Sequence, residues 1–167
     1  MKNLILLFFL FPLFGNAQDS CKLKRSTDEF THVTKVTTGF VSFPVNGVPL
    51  SISIDATKTE VDFFFWINEP SKCFDETSTA QVNFDGERLK ANYKNSGSMN
   101  CEGAFHFTFR NSTSTPSNLL RLTDKKISSI KLIGNGKSET VISFTEEQKQ
   151  QLMRMAACVV REAKTLL

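Results

Sequence analysis

The sequence predicts an α+β domain in which a mainly antiparallel sheet, curved or folded into a sandwich of about seven or eight strands, packs against one C-terminal helix. Two observations indicate this class. Along most of the chain, short segments alternate apolar and polar side chains, as half-buried strands do. After the last such segment, a helix-capping sequence precedes an apolar stripe at helical spacing, which predicts a helix over residues 145–167.

The predicted strands follow from this alternation in chain order. They comprise residues 32–43, 50–54, 60–67, 79–84, 88–93, 105–109, 127–133 and 139–144. Residues 44–49 are predicted to form a turn, because a proline stands at each end. Asp85-Gly86 and Gly134-Asn135-Gly136 each lie between two strands and predict hairpins. Residues 111–118 are rich in Ser, Thr and Asn and are predicted to form a loop.

The C-terminal helix is predicted to begin at Thr145. The Thr145 hydroxyl can accept a hydrogen bond from the backbone amide of Gln148, and the Gln148 side chain can reach back, which makes a capping box. Glu146 and Glu147 fall in the first turn, where the helix dipole favours negative charge. Cys158 lies at the rim of the apolar stripe, a position that suits a bond to an N-terminal segment crossing the helix.

The chain opens with a short apolar run, Leu4–Phe14, that has the features of a cleavable secretory signal. It is shorter than the about 20 residues needed to cross a bilayer. Small residues at the cleavage site predict a cut after Ala17, which leaves one domain, residues 18–167, in a secreted or periplasmic location. A buried N-terminal helix is disfavoured because the run has no polar face. A lipid anchor on Cys21 is disfavoured because the charged Asp19 stands just before it.

Basic and acidic side chains are nearly balanced, with 20 Lys and Arg against 17 Asp and Glu. A nucleic-acid-binding protein would concentrate basic residues on one face, so nucleic acid is not a predicted partner. Stable membrane insertion is not predicted either, once the leader is removed. Asn111-Ser112-Thr113 matches a glycosylation sequon, which matters only in a eukaryotic secretory pathway, whereas the leader is typical of bacteria.

The predicted mature chain contains four cysteines, Cys21, Cys73, Cys101 and Cys158. An even number of cysteines in an exported chain predicts disulfides, here two. The first predicted hairpin, if its turn is two residues long, places Cys73 opposite Ser98 and so close to Cys101. We therefore predict that Cys73 pairs with Cys101 and Cys21 with Cys158.

No catalytic or metal-binding motif is evident in the sequence. His32 and His106 are the only histidines, and His106 is predicted to lie on a strand surface in a structural role. Glu60 and Asp62 share a strand face at about 7 Å, a spacing compatible with glycoside hydrolysis. Acidic pairs at this spacing are, however, common on exposed strands. No acidic loop resembles an EF-hand, so neither a metal nor another cofactor is predicted.

Phe64 and Trp66 lie on the strand face that also carries Glu60 and Asp62. If this face is exposed, the two aromatic residues would form a patch for stacking a sugar or docking a partner. If a second sheet or the helix covers it, they belong to the core. The core location is favoured, because an exposed aromatic strand invites aggregation, and ligand binding by Phe64 and Trp66 is the weaker interpretation.

Four segments of the chain are shared with one family. They are Cys21 followed by Asp28-Glu29-Phe30-Thr31, the hairpin sequence Val82–Gly86, the segment Leu122–Leu132, and the closing helix with its late Cys158. In these places the chain resembles a family of small secreted proteins of Bacteroidetes-type bacteria to which no activity is assigned. The resemblance implies location and general shape, and no functional residue is carried over from it.

These observations favour an exported, non-enzymatic protein that binds a protein or glycan ligand at the cell envelope. Two alternatives remain open. One is a small hydrolase acting through acidic residues, and the other is a purely structural accessory of the envelope.

Overall fold

The computed structural model describes residues 21–45 and 47–167, so the predicted leader and its cleavage site lie outside the described residues. The described part contains ten strands and two α-helices: β1 (Lys24–Thr27), β2 (Thr34–Thr37), β3 (Val41–Val45), β4 (Val48–Ala56), β5 (Glu60–Ile67), β6 (Thr79–Phe84), β7 (Ala91–Lys94), β8 (Ala104–Arg110), α1 (Ser117–Asp124), β9 (Ile127–Ile133), β10 (Glu139–Ser143) and α2 (Glu146–Ala163). The predicted α+β class is confirmed, with more strands than expected.

The strands form two antiparallel sheets. The large sheet has the order β1-β2-β4-β5-β8, with β3 also paired to β4, and the small sheet has the order β10-β9-β6-β7. The sheets come together at β7 and β8. There the amide of Ser96, just after β7, donates to the carbonyl of His106 at 2.8 Å, and the Tyr93 ring stacks on that of Phe107 with centroids 4.5 Å apart.

The predicted strand 32–43 is two strands, β2 and β3, because a bulge divides it. Val36 pairs with Ala56, and Val41 pairs with Ile52. Residues 37–40 therefore face residues 53–55 of β4, so the β2–β3 segment contains one extra residue. Gly39, with φ 64°, accommodates the extra residue. The next turn is also tighter than the predicted 44–49, since β3 continues to Val45 and β4 resumes at Val48.

The first predicted hairpin forms with a different register. Thr79 pairs with Lys94, whereas a two-residue Asp85-Gly86 turn would have paired it with Asn92. The connection is longer because β6 continues to Phe84, which pairs with Ile127 of β9 rather than with β7. The second predicted hairpin joins β9 and β10, with Glu139 opposite Ile133.

The core lies between the inner faces of the two sheets and the helices. From the large sheet it receives alternate side chains of β4, β5 and β8, including Phe63, Phe65 and Phe105, all of them buried. Helix α2 packs against β4 with its apolar stripe, of which Leu152 and Val159 are fully buried. Burial of each such side chain contributes about 1.5–3 kcal/mol, so the inner face of the sheet is where packing stabilises the fold.

Helix α2 begins where the sequence predicts. The Thr145 hydroxyl accepts from the amide of Gln148 at 3.3 Å, and the Gln148 side chain accepts from the amide of Thr145 at 2.9 Å. The helix is followed by a 3-10 turn, Lys164–Leu166. Among the described residues, no helix is both long and apolar enough to cross a membrane.

Helix α1 was not predicted, and its first residues fall in the predicted loop 111–118. The helix is short and has only two buried apolar residues, Leu119 and Leu122, which face α2. Its Arg121 lies over the Phe84 ring at 4.3 Å and pairs with Glu87. These tertiary contacts stabilise a helix that is too short to be stable by itself.

The structure contains both predicted disulfides, Cys73–Cys101 and Cys21–Cys158. The first joins the segments after β5 and before β8. It lies next to a pair of antiparallel backbone hydrogen bonds between Phe74 and Asn100. The second joins the N-terminal segment to α2, and Cys158 is half-buried at the helix rim as predicted.

The sequon residue Asn111 is buried. Its side-chain amide donates to the carbonyl of Thr57 at 2.9 Å and to that of Ala163 at 2.8 Å. It therefore connects the end of β8 to the β4–β5 turn and to the C-terminus of α2.

Candidate binding surface

Phe64 and Trp66 lie on the outer face of the large sheet, so the favoured core location is wrong. Side chains alternate along β5, and the second sheet and the helices cover the face that carries Phe63 and Phe65, each 1% exposed. The other face remains open to solvent. Trp66 is 40% exposed, and Phe64 is half-buried.

A third aromatic residue, Phe40, joins them. It is 62% exposed, and its ring centroid lies 5.7 Å from that of Phe64 and 6.2 Å from that of Trp66. Phe40 follows Gly39 in the bulge between β2 and β3, which turns its ring onto the outer face beside β5. We call Phe40, Phe64 and Trp66 the aromatic patch. The sequence analysis missed Phe40, although a glycine inside a strand-like segment is a recognised sign of a bulge.

The indole of Trp66 is held in one orientation. Its Nε1 donates to the backbone carbonyl of Glu102 at 3.0 Å. The Cys73–Cys101 disulfide holds the loop that supplies this carbonyl, and Gly103 closes it against β5. Gly103 has φ 74°, and its carbonyl accepts from the amide of Ile67 at 2.9 Å. A Cβ on Gly103 would lie 1.9 Å from the Ile67 carbonyl oxygen, so only glycine fits there.

Next to the patch, Asp62 and His106 form a hydrogen-bonded pair. Nδ1 of His106 lies 3.1 Å from Oδ1 and 3.2 Å from Oδ2 of Asp62, and the His106 ring lies 5.8 Å from that of Phe64. The hydrogen bond to Asp62 raises the pKa of His106 above its ordinary value of 6.5, partial burial opposes this, and the negative charges of Asp62 and Glu60 raise it further.

A buried amide supports the backbone at this point. The side-chain oxygen of Asn95 accepts from the amide of His106 at 3.0 Å, and its nitrogen donates to the carbonyls of Asp75 and Gly97. Gly97 lies against the other ring nitrogen of His106, because a Cβ there would be 2.9 Å from Nε2. The imidazole is thus packed between Asp62 and a glycine.

A second carboxylate, Asp55, lies directly opposite Asp62 across β4 and β5. It accepts hydrogen bonds from the hydroxyls of Thr37 and Ser53 and pairs with Lys35 at 2.5 Å. Each carboxylate therefore has a basic partner, which relieves the repulsion that two facing acids would cause. The result is a row of ordered polar groups along one side of the aromatic patch.

Glu60 and Asp62 do share this face, as the sequence predicts. Asp62, however, is engaged by His106, and Glu60 lies opposite Arg110 at the end of the strand. Within residues 21–45 and 47–167, no group of three or more His, Cys, Asp or Glu side chains could hold a metal ion.

Comparison of the chain with protein-family models, curated proteins and solved structures found no match.

Proposed function

We propose that this chain is an exported glycan-binding module of the cell envelope, secreted or periplasmic, and that the aromatic patch is its binding surface. The observation that carries the proposal is the gathering of Phe40, Phe64 and Trp66 on an open sheet face, with the indole held by the Glu102 carbonyl. The apolar leader and the two disulfides support export, because disulfides persist in oxidising compartments.

The composition of the surface favours a glycan over an apolar ligand. A pyranose ring has apolar C–H faces that stack on aromatic rings and hydroxyls around its edge that need hydrogen-bond partners. The aromatic patch offers the first, and the carboxylate oxygens of the neighbouring Asp62 and Asp55 offer the second. Because these groups are already ordered by hydrogen bonds, little conformational entropy is lost on binding.

The hydrolase alternative is less well supported. Asp62 and His106 resemble the orienting half of a catalytic triad, in which the second imidazole nitrogen receives a proton from a nucleophile. Here Gly97 packs against that nitrogen, Nε2, and no hydroxyl or thiol among the described residues hydrogen-bonds to it. The pair instead connects β5 to β8 beside the aromatic patch.

The proposal is tested by titrating the mature chain with chitohexaose, cellohexaose and maltohexaose and following the fluorescence of Trp66, the only tryptophan. Binding of at least one hexasaccharide should shift the emission and saturate. Replacing Trp66 or Phe40 with alanine should weaken that binding, measured by calorimetry, by about two- to tenfold, since each aromatic contact contributes about 0.5–1.5 kcal/mol.

The matched control is Val141→Ala, which truncates an exposed apolar side chain on β10 of the small sheet. Its affinity should equal that of the unaltered protein. Equal binding by Trp66→Ala would exclude the aromatic patch as the site. If none of the glycans binds and a protein partner covers the rings of the aromatic patch, the ligand is a protein and not a glycan.

A further inference from the structure

A groove of about 610 Å³ lies on a different part of the surface, between the N-terminal segment and α2. Cys21, Lys22 and Leu23 form one wall, and one side of α2 around Met155 forms the other. The Cys21–Cys158 disulfide joins these walls covalently. The groove falls within the size range of small-molecule sites, about 300–1,000 Å³.

The floor of the groove is apolar. Leu23, Val41 and Met155 are partly buried residues that pack against the core, and all three also line the groove. Each therefore presents one side to the core and leaves another side in contact with solvent. Such a surface is stabilised when an apolar ligand covers it, by about 25 cal/mol for each Å² removed from water.

The rim of the groove is basic. Lys22, Arg154 and Arg161 line it, and none of the three forms an ion pair with a described residue. Arg154 and Arg161 are seven positions apart on α2 and so share a face two turns apart, about 10 Å along the axis. Arg161 is further held by a 2.9 Å hydrogen bond from its guanidinium to Sγ of Cys21.

From this combination we infer that the groove binds a single-chain fatty carboxylate, with the alkyl chain on the apolar floor and the carboxylate at the basic rim. The charges decide the class of ligand. An uncharged apolar molecule would supply no counter-ion to three cations that have no ion-pair partner in the part of the chain that the structure describes, and a cationic amphiphile would be repelled. A small anion without a tail would leave the floor exposed to water.

The test is calorimetric titration of the mature chain, residues 18–167 with both disulfides intact, using decanoate below its micelle concentration. Decanoate should bind at one saturable site. Decyltrimethylammonium, which has the same tail and the opposite charge, and acetate, which has the head group alone, should each bind at least about tenfold more weakly. Equal binding of the two decyl compounds, or unsaturable uptake of decanoate, would refute the inference.

Variants locate the site. Arg154→Gln should weaken decanoate binding about tenfold, whereas Arg154→Lys should restore most of it. Since no described contact of the Arg154 side chain supports the fold, loss of folding does not confound this variant. Lys94→Gln, which removes an exposed charge on β7, is the matched control and should leave the affinity unchanged. Unchanged binding by Arg154→Gln would move the ligand away from the groove.

The groove and the aromatic patch have no residue in common, although Phe40 of the patch lies in sequence between Thr38 and Val41 of the groove. Trp66→Ala should leave decanoate binding unchanged, and Arg154→Gln should leave glycan binding unchanged. Either proposal can therefore fail without affecting the other. If Trp66→Ala abolishes decanoate binding, the carboxylate binds at the aromatic patch and the inference about the groove is wrong.

Discussion

The two faces of β5 both carry aromatic side chains, but they differ in what covers them. Phe63 and Phe65 lie 1% exposed under the helix and the second sheet, whereas Phe64 and Trp66, one position away in each case, lie on the outer face. From Phe63 to Trp66 every side chain is aromatic, so hydrophobicity does not separate the two faces there, and only Glu60 and Asp62 at the start of the strand mark the outer face. What separates them is the layer above. The second sheet and the helices cover the inner rings, whereas Phe40 and ordered polar groups are the neighbours of the outer rings within residues 21–45 and 47–167.

The same truncation on each face tests whether the covering layer decides how much a ring stabilises the fold. Phe65→Ala should lower the free energy of unfolding by about 3–5 kcal/mol, because it removes a fully buried ring and leaves a cavity. Phe64→Ala should lower it by about 1 kcal/mol, because that ring is half-exposed. Urea denaturation of both variants measures the difference. Equal losses would mean that the outer face is also packed in solution.

The second test concerns the covalent support of the outer face. Replacing Cys73 and Cys101 with serine should cost about 3 kcal/mol of unfolding free energy, given the sequence separation of 28 between the cysteines. The change should also loosen the loop that carries the Glu102 carbonyl, and Trp66 emission should shift to the red. A stability loss without any change in emission would show that the indole is held independently of this loop.

The third test measures exposure directly. Iodide should quench the fluorescence of Trp66 in the folded protein, because its side chain is on the open face. Trp66→Phe should cost about 1 kcal/mol, the value of the lost hydrogen bond to Glu102. An unquenchable, blue-shifted signal would contradict the outer location and remove the basis of the aromatic patch.

The smallest expected effect is the pH dependence of the Asp62–His106 pair. Because the folded protein raises the pKa of His106 above 6.5, the pair stabilises the fold fully below pH 6.5. That contribution is lost as the pH rises through the higher pKa of the folded state.

An NMR titration of the imidazole protons checks this, with His32 as the only other histidine. Asp62→Asn should lower the pKa of His106, since it removes the largest cause of the shift. If the pKa is unchanged in Asp62→Asn, the ion pair does not exist in solution.

Much of the fold was predictable because it depends on local patterns. Alternation together with the glycine-containing turns predicts the bounds of β5, β6 and β9, and the capping box at Thr145 predicts the start of α2. The register of the first hairpin was not predictable, because Phe84 extends β6 to pair with β9, a contact between distant parts of the chain. The pairing of Cys73 with Cys101 was still reached, because a shift of the register changes which residues are opposite but not which strands are neighbours.

The candidate site was only half predictable. Alternation along β5 predicts that Phe64 and Trp66 share one face. Which face is covered, however, depends on where α2 and the small sheet pack. Phe40 was missed because its position depends on one extra residue at the Gly39 bulge. The sequence predicts that His106 lies on a strand surface, which is correct. Its pairing with Asp62 could not be predicted, because that pairing depends on the register of β5 against β8.

The burial of Asn111 has a practical consequence for producing this protein in eukaryotic cells. Oligosaccharide transfer to a sequon acts on the nascent chain before it folds, and it replaces an amide hydrogen on the same nitrogen that donates to Thr57 and Ala163. A sugar chain attached there would have to enter the space between the C-terminus of α2 and the β4–β5 turn. Yeast or mammalian secretion should therefore yield misfolded material unless Thr113 is replaced by alanine, whereas bacterial export avoids the problem altogether.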